Sequence, residues 1–244
     1  MEMIRDDERI SAIAARSLRD GEACFVGIGI PSIAALLAKH THAPRLSLIY
    51  ESGAYGTIPP VLPMSTGSPS IAAGAACLGD CGLVFGDLQA GRIDVAILSA
   101  AQVDRHGNLN STVIGDYRKP KVRLVGSGGA HDIASLVGRT IIVMPHDPRR
   151  FVERVDFVTA PGFGDDGTRP ASTRGSGPVE LVTPRARFGF ATGELALEAL
   201  QHGFEVDQAL EGFEWEVPVV ADPVRLGPPT TEEIEIMRRW TSEA

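Results

Sequence analysis

With 244 residues, the chain is long enough for one large α/β domain or two small ones, and for a core that needs no disulfide or metal to hold it. Its 43% hydrophobic and 22% charged residues are those of an ordinary globular protein, with no stretch of the roughly 18 apolar residues that a membrane span requires. A formal net charge of −8 argues against nonspecific binding to nucleic acid or an anionic membrane, while still allowing an anion held in a local cradle of backbone N–H groups.

The opening residues, Met1 to Asp7, lack a basic region followed by an apolar run, so no secretory signal is expected. Apolar residues at Ile10, Ile13, Ala14 and Leu18, preceded by Asp6 and Asp7, predict an amphipathic helix that stops near Gly21. Residues 23–26 read as a short buried strand running into glycines. Ser32 is placed to cap a second helix carrying Ile33, Leu36 and Leu37, and residues 46–50 read as a second strand. The Gly- and Pro-rich stretch from Gly53 to about Gly82 is too long for an ordinary connector and is expected to be a functional loop. Cys77 and Cys81, four residues apart within it, have the spacing to share a helix face. With Cys24 they make an odd, sparse count that fits a reducing, cytoplasmic setting.

Further on, residues 83–90 read as helix, 95–98 and 122–125 as strands, 133–136 as a short helix and 140–144 as another strand. Beyond about Asp156 the pattern shifts to short strands at 157–159, 179–183 and 186–190, with a polar, irregular segment from Asp165 to Gly177. Helical patterns return at 195–201 and 232–240. Strands alternating with helices predict an α/β fold, an open and mostly parallel sheet with helices on both faces and an irregular C-terminal extension. No internal repeat or firm boundary is visible, so residues 1–244 are expected to form one domain.

Three constellations carry chemical promise. Glu51-Ser52-Gly53 ends the second strand, and strand carboxyl ends of an open sheet line the crevice where ligands sit; Gly53 would permit a sharp turn and close approach of a substrate to the backbone. Gly126-Ser127-Gly128-Gly129 lies between a strand and a helix, where glycines let N–H groups converge on an anion, although a plain tight turn accounts for them equally well. No Lys-Ser or Lys-Thr follows, which excludes a Walker phosphate loop. Gly27-Ile28-Gly29-Ile30-Pro31-Ser32 approaches a dinucleotide-binding fingerprint, with Glu51 at the distance of a ribose-binding acid, but Ser32 replaces the third glycine and Pro31 constrains the turn. His40 and His42 have no carboxylate arranged beside them, so no metal site is expected. Arg149 and Arg150 read either as a solvated pair or as a contact for phosphate or a partner.

Together these residues resemble the β subunit of class I CoA transferases, most closely the glutaconate CoA-transferase type. The resemblance is carried by Tyr50-Glu51-Ser52-Gly53, by Ala101-Gln102-Val103-Asp104-Arg105-His106-Gly107-Asn108, by Asn110-Ser111-Thr112 with Gly115-Asp116-Tyr117, and by Gly126-Ser127-Gly128-Gly129-Ala130. Arg149-Arg150-Phe151, Val155-Asp156-Phe157-Val158-Thr159 and Pro161-Gly162 complete it. The resemblance implies that Glu51 is the catalytic glutamate, that Gly126, Ser127, Gly128 and Gly129 contact CoA and stabilise an oxyanion, and that Gly27 and Gly29 form a matching glycine turn, which weakens the dinucleotide reading. Ser52, Gly53 and Gln102 are expected in the substrate site.

The implied reaction moves CoA from a thioester to a carboxylic acid through a glutamyl-CoA thioester, with CoA as a substrate and no cofactor bound permanently. An α subunit, in a heterotetramer or larger assembly, is the expected partner. Related decarboxylases and ring-opening hydrolases on the same fold replace the glutamate, so its presence favours transfer; a thioester hydrolase stays open as the alternative, since only water access separates it from transfer. A noncatalytic sensor would need no carboxylate there and would usually carry a nucleic-acid-binding module, which this chain lacks.

Overall fold

In the computed structural model, which describes residues 3–241, the chain opens on helix α1 (Asp6–Arg16). Its acidic first turn suits the positive end of the helix, and the Glu8 carboxylate accepts from the Arg5 N–H at 2.8 Å. Then follow β1 (Ala23–Phe25), α2 (Ile30–His40), β2 (Ser47–Tyr50), β3 (Ala54–Tyr55), β4 (Cys77–Leu78), α3 (Cys81–Gln89) and β5 (Val95–Leu98). These strands stand in the order β5-β1-β2-β3-β4. The first three run parallel, with Cys24 opposite both Leu48 and Val95, and β3 and β4 are added antiparallel. Leu48, Ile49 and Tyr50 are all buried, the continuous apolar run expected of a strand covered on both faces.

The Gly- and Pro-rich stretch is more ordered than a loop. It contains β3, a 3-10 helix at Pro69–Ala72 and β4. The buried Thr57 hydroxyl fastens it by donating to the carbonyls of Ile71 and Ala73. Cys77 and Cys81 do not share a helix face: one lies on β4, the other opens α3, and Gly79-Asp80 separates them. All three cysteines are free thiols, with Cys24 buried and the other two exposed.

Residues up to Ile97, rejoined by the chain from Pro228 onward, form one compact unit, and Leu98–Gly227 form a second. The second begins with two small hairpins, β6 (Gln102–Val103) with β7 (Leu109–Asn110) and β8 (Val113–Ile114) with β9 (Val122–Arg123). After α4 (Ala130–Leu136) come β10 (Arg139–Val143), β11 (Pro178–Val182), β12 (Ala186–Gly189), β13 (Ala196–Leu200), α5 (Val206–Leu210) and β14 (Val219–Arg225). The order is β14-β13-β12-β11-β10, parallel at each end and antiparallel through β11, β12 and β13. Its core gathers Ile142, Leu181, Phe188 and Leu197 around stacked rings of Phe151 and Phe213, 4.3 Å apart, with Trp215 edge-on.

Two sequence expectations change here. Residues 195–201, read as helix, hold strand β13: Leu195, Leu197 and Ala199 are buried while Ala196 and Glu198 between them are not, and this alternation outweighs the helix propensity of Ala, Leu and Glu. Residues 157–159, read as strand, form no ladder; only the neighbouring Ala160 makes an isolated bridge, to Leu109. Among the described residues no helix is long and apolar enough to cross a membrane.

The C-terminal helix (Thr231–Thr241) packs on α1 and α2 of the first unit, burying Ile236 and Met237. Two ion pairs clasp it to α1: Arg238 donates to Glu8 at 2.6 Å, and Arg16 donates to Glu233 at 2.6 Å. Burial works to raise both carboxyls. For Glu8 the bonds from Arg238 and the Arg5 N–H outweigh it, and for Glu233 those from Arg16 and the Thr230 N–H do, so both lie below the ordinary 4.5. A depressed folded-state pKa stabilises above the unfolded value, and that contribution disappears as pH falls through the folded one. The amides of the C-terminal helix should therefore hold their hydrogen-exchange protection factors from neutral pH down to about pH 5 and lose them below it, before the sheet opens. Arg238→Gln should lower protection already at neutral pH; a pH-independent profile in the wild-type chain would contradict the clasp.

Candidate active site

β1 and β2 end side by side, and the chain turns at each carboxyl end. After β1, Gly29 takes φ 76° and serves as the N-cap residue of α2, with Pro31 in the first turn where a missing N–H costs nothing. Ser32 is thus not the cap that the sequence suggests but a member of the first turn. Its hydroxyl donates to the Gly27 carbonyl at 2.6 Å, which leaves its oxygen to accept from the Tyr50 hydroxyl at 3.3 Å. Tyr50 is fully buried, and that burial raises its pKa and keeps the phenol neutral. The glycine turn of β1 is in this way tied to the residue immediately before Glu51.

Glu51, Ser52 and Gly53 form the three-residue loop of the β2–β3 hairpin: Tyr50 pairs with Ala54, and the Gly53 N–H donates to the Tyr50 carbonyl at 2.9 Å. Gly53 has φ 109°, and a Cβ there would stand 2.6 Å from the Asp80 nitrogen and press on the Gly79 carbonyl. The close approach anticipated for a substrate is therefore made by the chain's own 79–80 segment, joined by the Gly79 N–H to the Gly53 carbonyl at 2.8 Å. Ser52 is exposed and Glu51 half-buried, and no hydrogen bond or ion pair engages the Glu51 carboxylate among the described residues.

In the second unit, the 126–129 turn leads into α4, with Gly126 at φ 96° and Gly128 at φ 48°. Gly126 is fastened on both sides: its N–H donates to the Ser111 carbonyl and its carbonyl accepts from the Ser111 hydroxyl, each at 2.9 Å. Its N–H is thus not a donor for a ligand, contrary to the sequence reading. The N–H groups of Ser127, Gly128 and Gly129 have no acceptor among the described residues. Thr159, unremarked in the sequence as a brace, holds the turn from behind: its hydroxyl accepts from the Ser111 N–H at 3.0 Å, and its carbonyl faces His131 Nδ1 at 3.1 Å.

Gln102 is also reassigned. Its side chain is buried, its Oε1 accepts from Asn110 Nδ2 at 2.6 Å and the Asp156 N–H at 3.2 Å, and its Nε2 donates to Asp156 at 2.9 Å. With both ends of the amide engaged, it braces the hairpins rather than facing substrate. Asp104, 2% exposed, accepts from the N–H groups of His106 and Asn108 at 3.0 Å each; burial nevertheless raises its carboxyl above the usual range. Gly107 (φ 72°) packs on Pro178 and Phe190, and a Cβ on Gly162 would strike the His106 carbonyl. Within the 101–108 motif, Gln102, Asp104 and Gly107 accordingly brace the fold.

His40 and His42 fasten helix ends, Nδ1 of the first bonding the Leu36 carbonyl and Nε2 of the second the Leu18 carbonyl. Arg149 and Arg150 part company. Arg149 is exposed and paired with Asp147 at 2.6 Å, whereas Arg150 lines a cavity of about 590 Å³ beside the 126–129 turn. Of the predicted residues, Gly27, Gly29, Glu51, Ser52 and Gly53 lie in the first unit, and Gln102 with Gly126, Ser127, Gly128 and Gly129 in the second.

The sequence matches the model of the family described as coenzyme A transferase over residues 7–175. It is 41% identical to a subunit of the 3-oxoadipate CoA-transferase of Pseudomonas knackmussii, over 95% of this chain and 91% of the relative. It is 34% identical to a subunit of the glutaconate CoA-transferase of Acidaminococcus fermentans, over 92% of this chain and 87% of the relative. The crystal structure of glutaconate coenzyme A-transferase from Acidaminococcus fermentans superposes with a TM-score of 0.88 at 32% identity, covering 97% of this chain and 94% of that one.

Proposed function

The chain belongs to the coenzyme A transferase family as a β-type subunit, and from that premise we propose that Glu51 is the nucleophile that carries first the acyl group and then CoA. The observation that carries this reading is the Glu51 carboxylate itself, half-buried at a strand's carboxyl end, on a loop pinned by Gly53, and free of hydrogen bonds among the described residues. A carboxylate needs no general base to attack at neutral pH.

Its oxygen adds to the thioester carbonyl, the C–S bond breaks, and a glutamyl-acyl anhydride and CoA thiolate result. The thiolate attacks the glutamyl carbonyl, releasing the first acid and leaving a glutamyl-CoA thioester. The acceptor carboxylate then repeats these two exchanges in reverse and leaves with CoA, regenerating Glu51. Each addition develops an oxyanion, for which the N–H groups of Ser127, Gly128 and Gly129 are the proposed donors; one well-aimed donor is worth about 3–4 kcal/mol. Gly27, Gly29 and Ser52 are proposed to border the bound thioester. Binding energy from the remote parts of CoA is available to position the reacting carbonyl, and water must be excluded or the anhydride hydrolyses.

CoA is thus a substrate rather than a resident cofactor. Relatives named for glutaconate and for 3-oxoadipate support a dicarboxylic acid as acceptor or donor, the glutaconate type being one of two. Each of these relatives is named as one subunit of its enzyme, which supports an α-subunit partner; we place the pair in a heterotetramer in the cytoplasm. Purified with its α partner, the chain should exchange CoA between an acyl-CoA and free acids, and purified alone it should not. Robust turnover by the isolated chain would contradict a composite site.

A further inference from the structure

We propose that the cavity beside the 126–129 turn receives the free carboxylate at the far end of a dicarboxylic acyl group, read by Arg150 and Arg123. The cavity is an open surface pocket of about 590 Å³, with apolar and charged walls beside the serines Ser99 and Ser111. Ala100, Ala101, Leu124 and Val125 supply an apolar surface suited to a short methylene chain, and Val125, 99% exposed, directly precedes the glycine turn. The two guanidinium groups supply the charge. Arg150 is half-buried and held by its bond to the Ala100 carbonyl at 2.7 Å. Arg123 sits over the Tyr117 ring, 4.9 Å from its centroid, and donates to the Tyr117 carbonyl at 3.1 Å; Tyr117 in turn stacks on Phe157. Both cations are therefore held in place before a ligand arrives, and guanidinium groups match carboxylates in bidentate geometry.

That the anion arrives on an acyl group rests on the CoA-transfer reading; a phosphate of CoA has the same chemistry from another source. The test uses the purified complex of both subunits and two acids, adipate and hexanoate, that differ only in the terminal carboxylate. In titration calorimetry adipate should bind at least about 30-fold more tightly than hexanoate, the scale of one or two charge-assisted hydrogen bonds. Arg123→Gln and Arg150→Gln should each reduce that ratio at least about 10-fold, and Arg150→Lys should restore part of it. Arg123 is exposed, so its variant tests the cavity even if Arg150→Gln fails to fold. The ratio of affinities for CoA and 3′-dephospho-CoA should not move in any variant.

Equal binding of the two acids by the wild type would overturn the proposal. So would variants that shift the CoA ratio and leave the acid ratio alone, since they would assign the cavity to phosphate. Tight, arginine-dependent adipate binding without CoA transfer would remove the transferase reading and leave the cavity standing. Transfer to hexanoate and adipate with equal kcat/KM would do the reverse.

Discussion

Glu51→Ala should lower CoA transfer by at least about 10⁴-fold, the scale set by removing a covalent nucleophile, while the subunit stays folded. The loss corresponds to about 5.5 kcal/mol of transition-state stabilisation. Without the carboxylate the acceptor acid must attack the thioester directly, and neither the anhydride nor the glutamyl thioester can form. The fold has little reason to respond. Glu51 lies at a hairpin tip, its side chain makes no hydrogen bond among the described residues, and the pairing of Tyr50 with Ala54 involves backbone alone. Such a substitution falls within about 0.5 kcal/mol of neutral, so the melting temperature should move by no more than about 2 °C. Steady-state transfer and thermal unfolding, measured on the same preparation of the complex, check both halves. Transfer within tenfold of wild type would remove Glu51 from the chemistry.

Gly53→Ala is the second large effect, and it acts in the opposite way, through the fold. A φ of 109° lies outside the range of ordinary L residues, and the added methyl would press on the Gly79 carbonyl and the Asp80 nitrogen, which are backbone and cannot rotate aside. Strain and overpacking together should cost about 3 kcal/mol. For a chain of this length that is a fall of roughly 6–12 °C in melting temperature. Because Gly53 closes the loop that bears Glu51, transfer should also drop in the folded fraction. Gly126→Ala, with open space around the position and a similar φ of 96°, isolates the backbone strain from the clash. An unchanged melting temperature for Gly53→Ala would contradict the packing of the 79–80 segment on the loop.

The parts of this site that can be read from the sequence are those set by short-range pattern. The β1-α2-β2 succession follows from two apolar runs on either side of a helical period, and Glu51 falls at the end of the second run. The glycines at 29, 53, 126 and 128 mark the turns, because the structure places a positive φ at each. The remainder depends on neighbours distant in the chain. Gly53 gives no hint that Gly79, rather than a substrate, meets it. Nothing local to Gln102 shows that Asn110 and Asp156 engage both ends of its amide, nor does the 126–129 turn reveal that Ser111 already takes the Gly126 N–H. Residues 195–201 read as helix because Ala, Leu and Glu favour helices in isolation, whereas β12 beside them imposes a strand. Arg149 and Arg150 look like one basic pair in sequence, and only the fold turns one to solvent and the other to a cavity.

Trapping the glutamyl-CoA intermediate shows whether Glu51 itself carries CoA. The complex would be incubated with a panel of acyl-CoA thioesters, treated with sodium borohydride and digested for peptide mass spectrometry, with Glu51→Ala alongside. Borohydride reduces a glutamyl thioester to the alcohol, so CoA carried on Glu51 should yield a peptide in which residue 51 has lost one oxygen and gained two hydrogens, formed only when acyl-CoA is present. Consumption of the thioester with Glu51 chemically unchanged would contradict it.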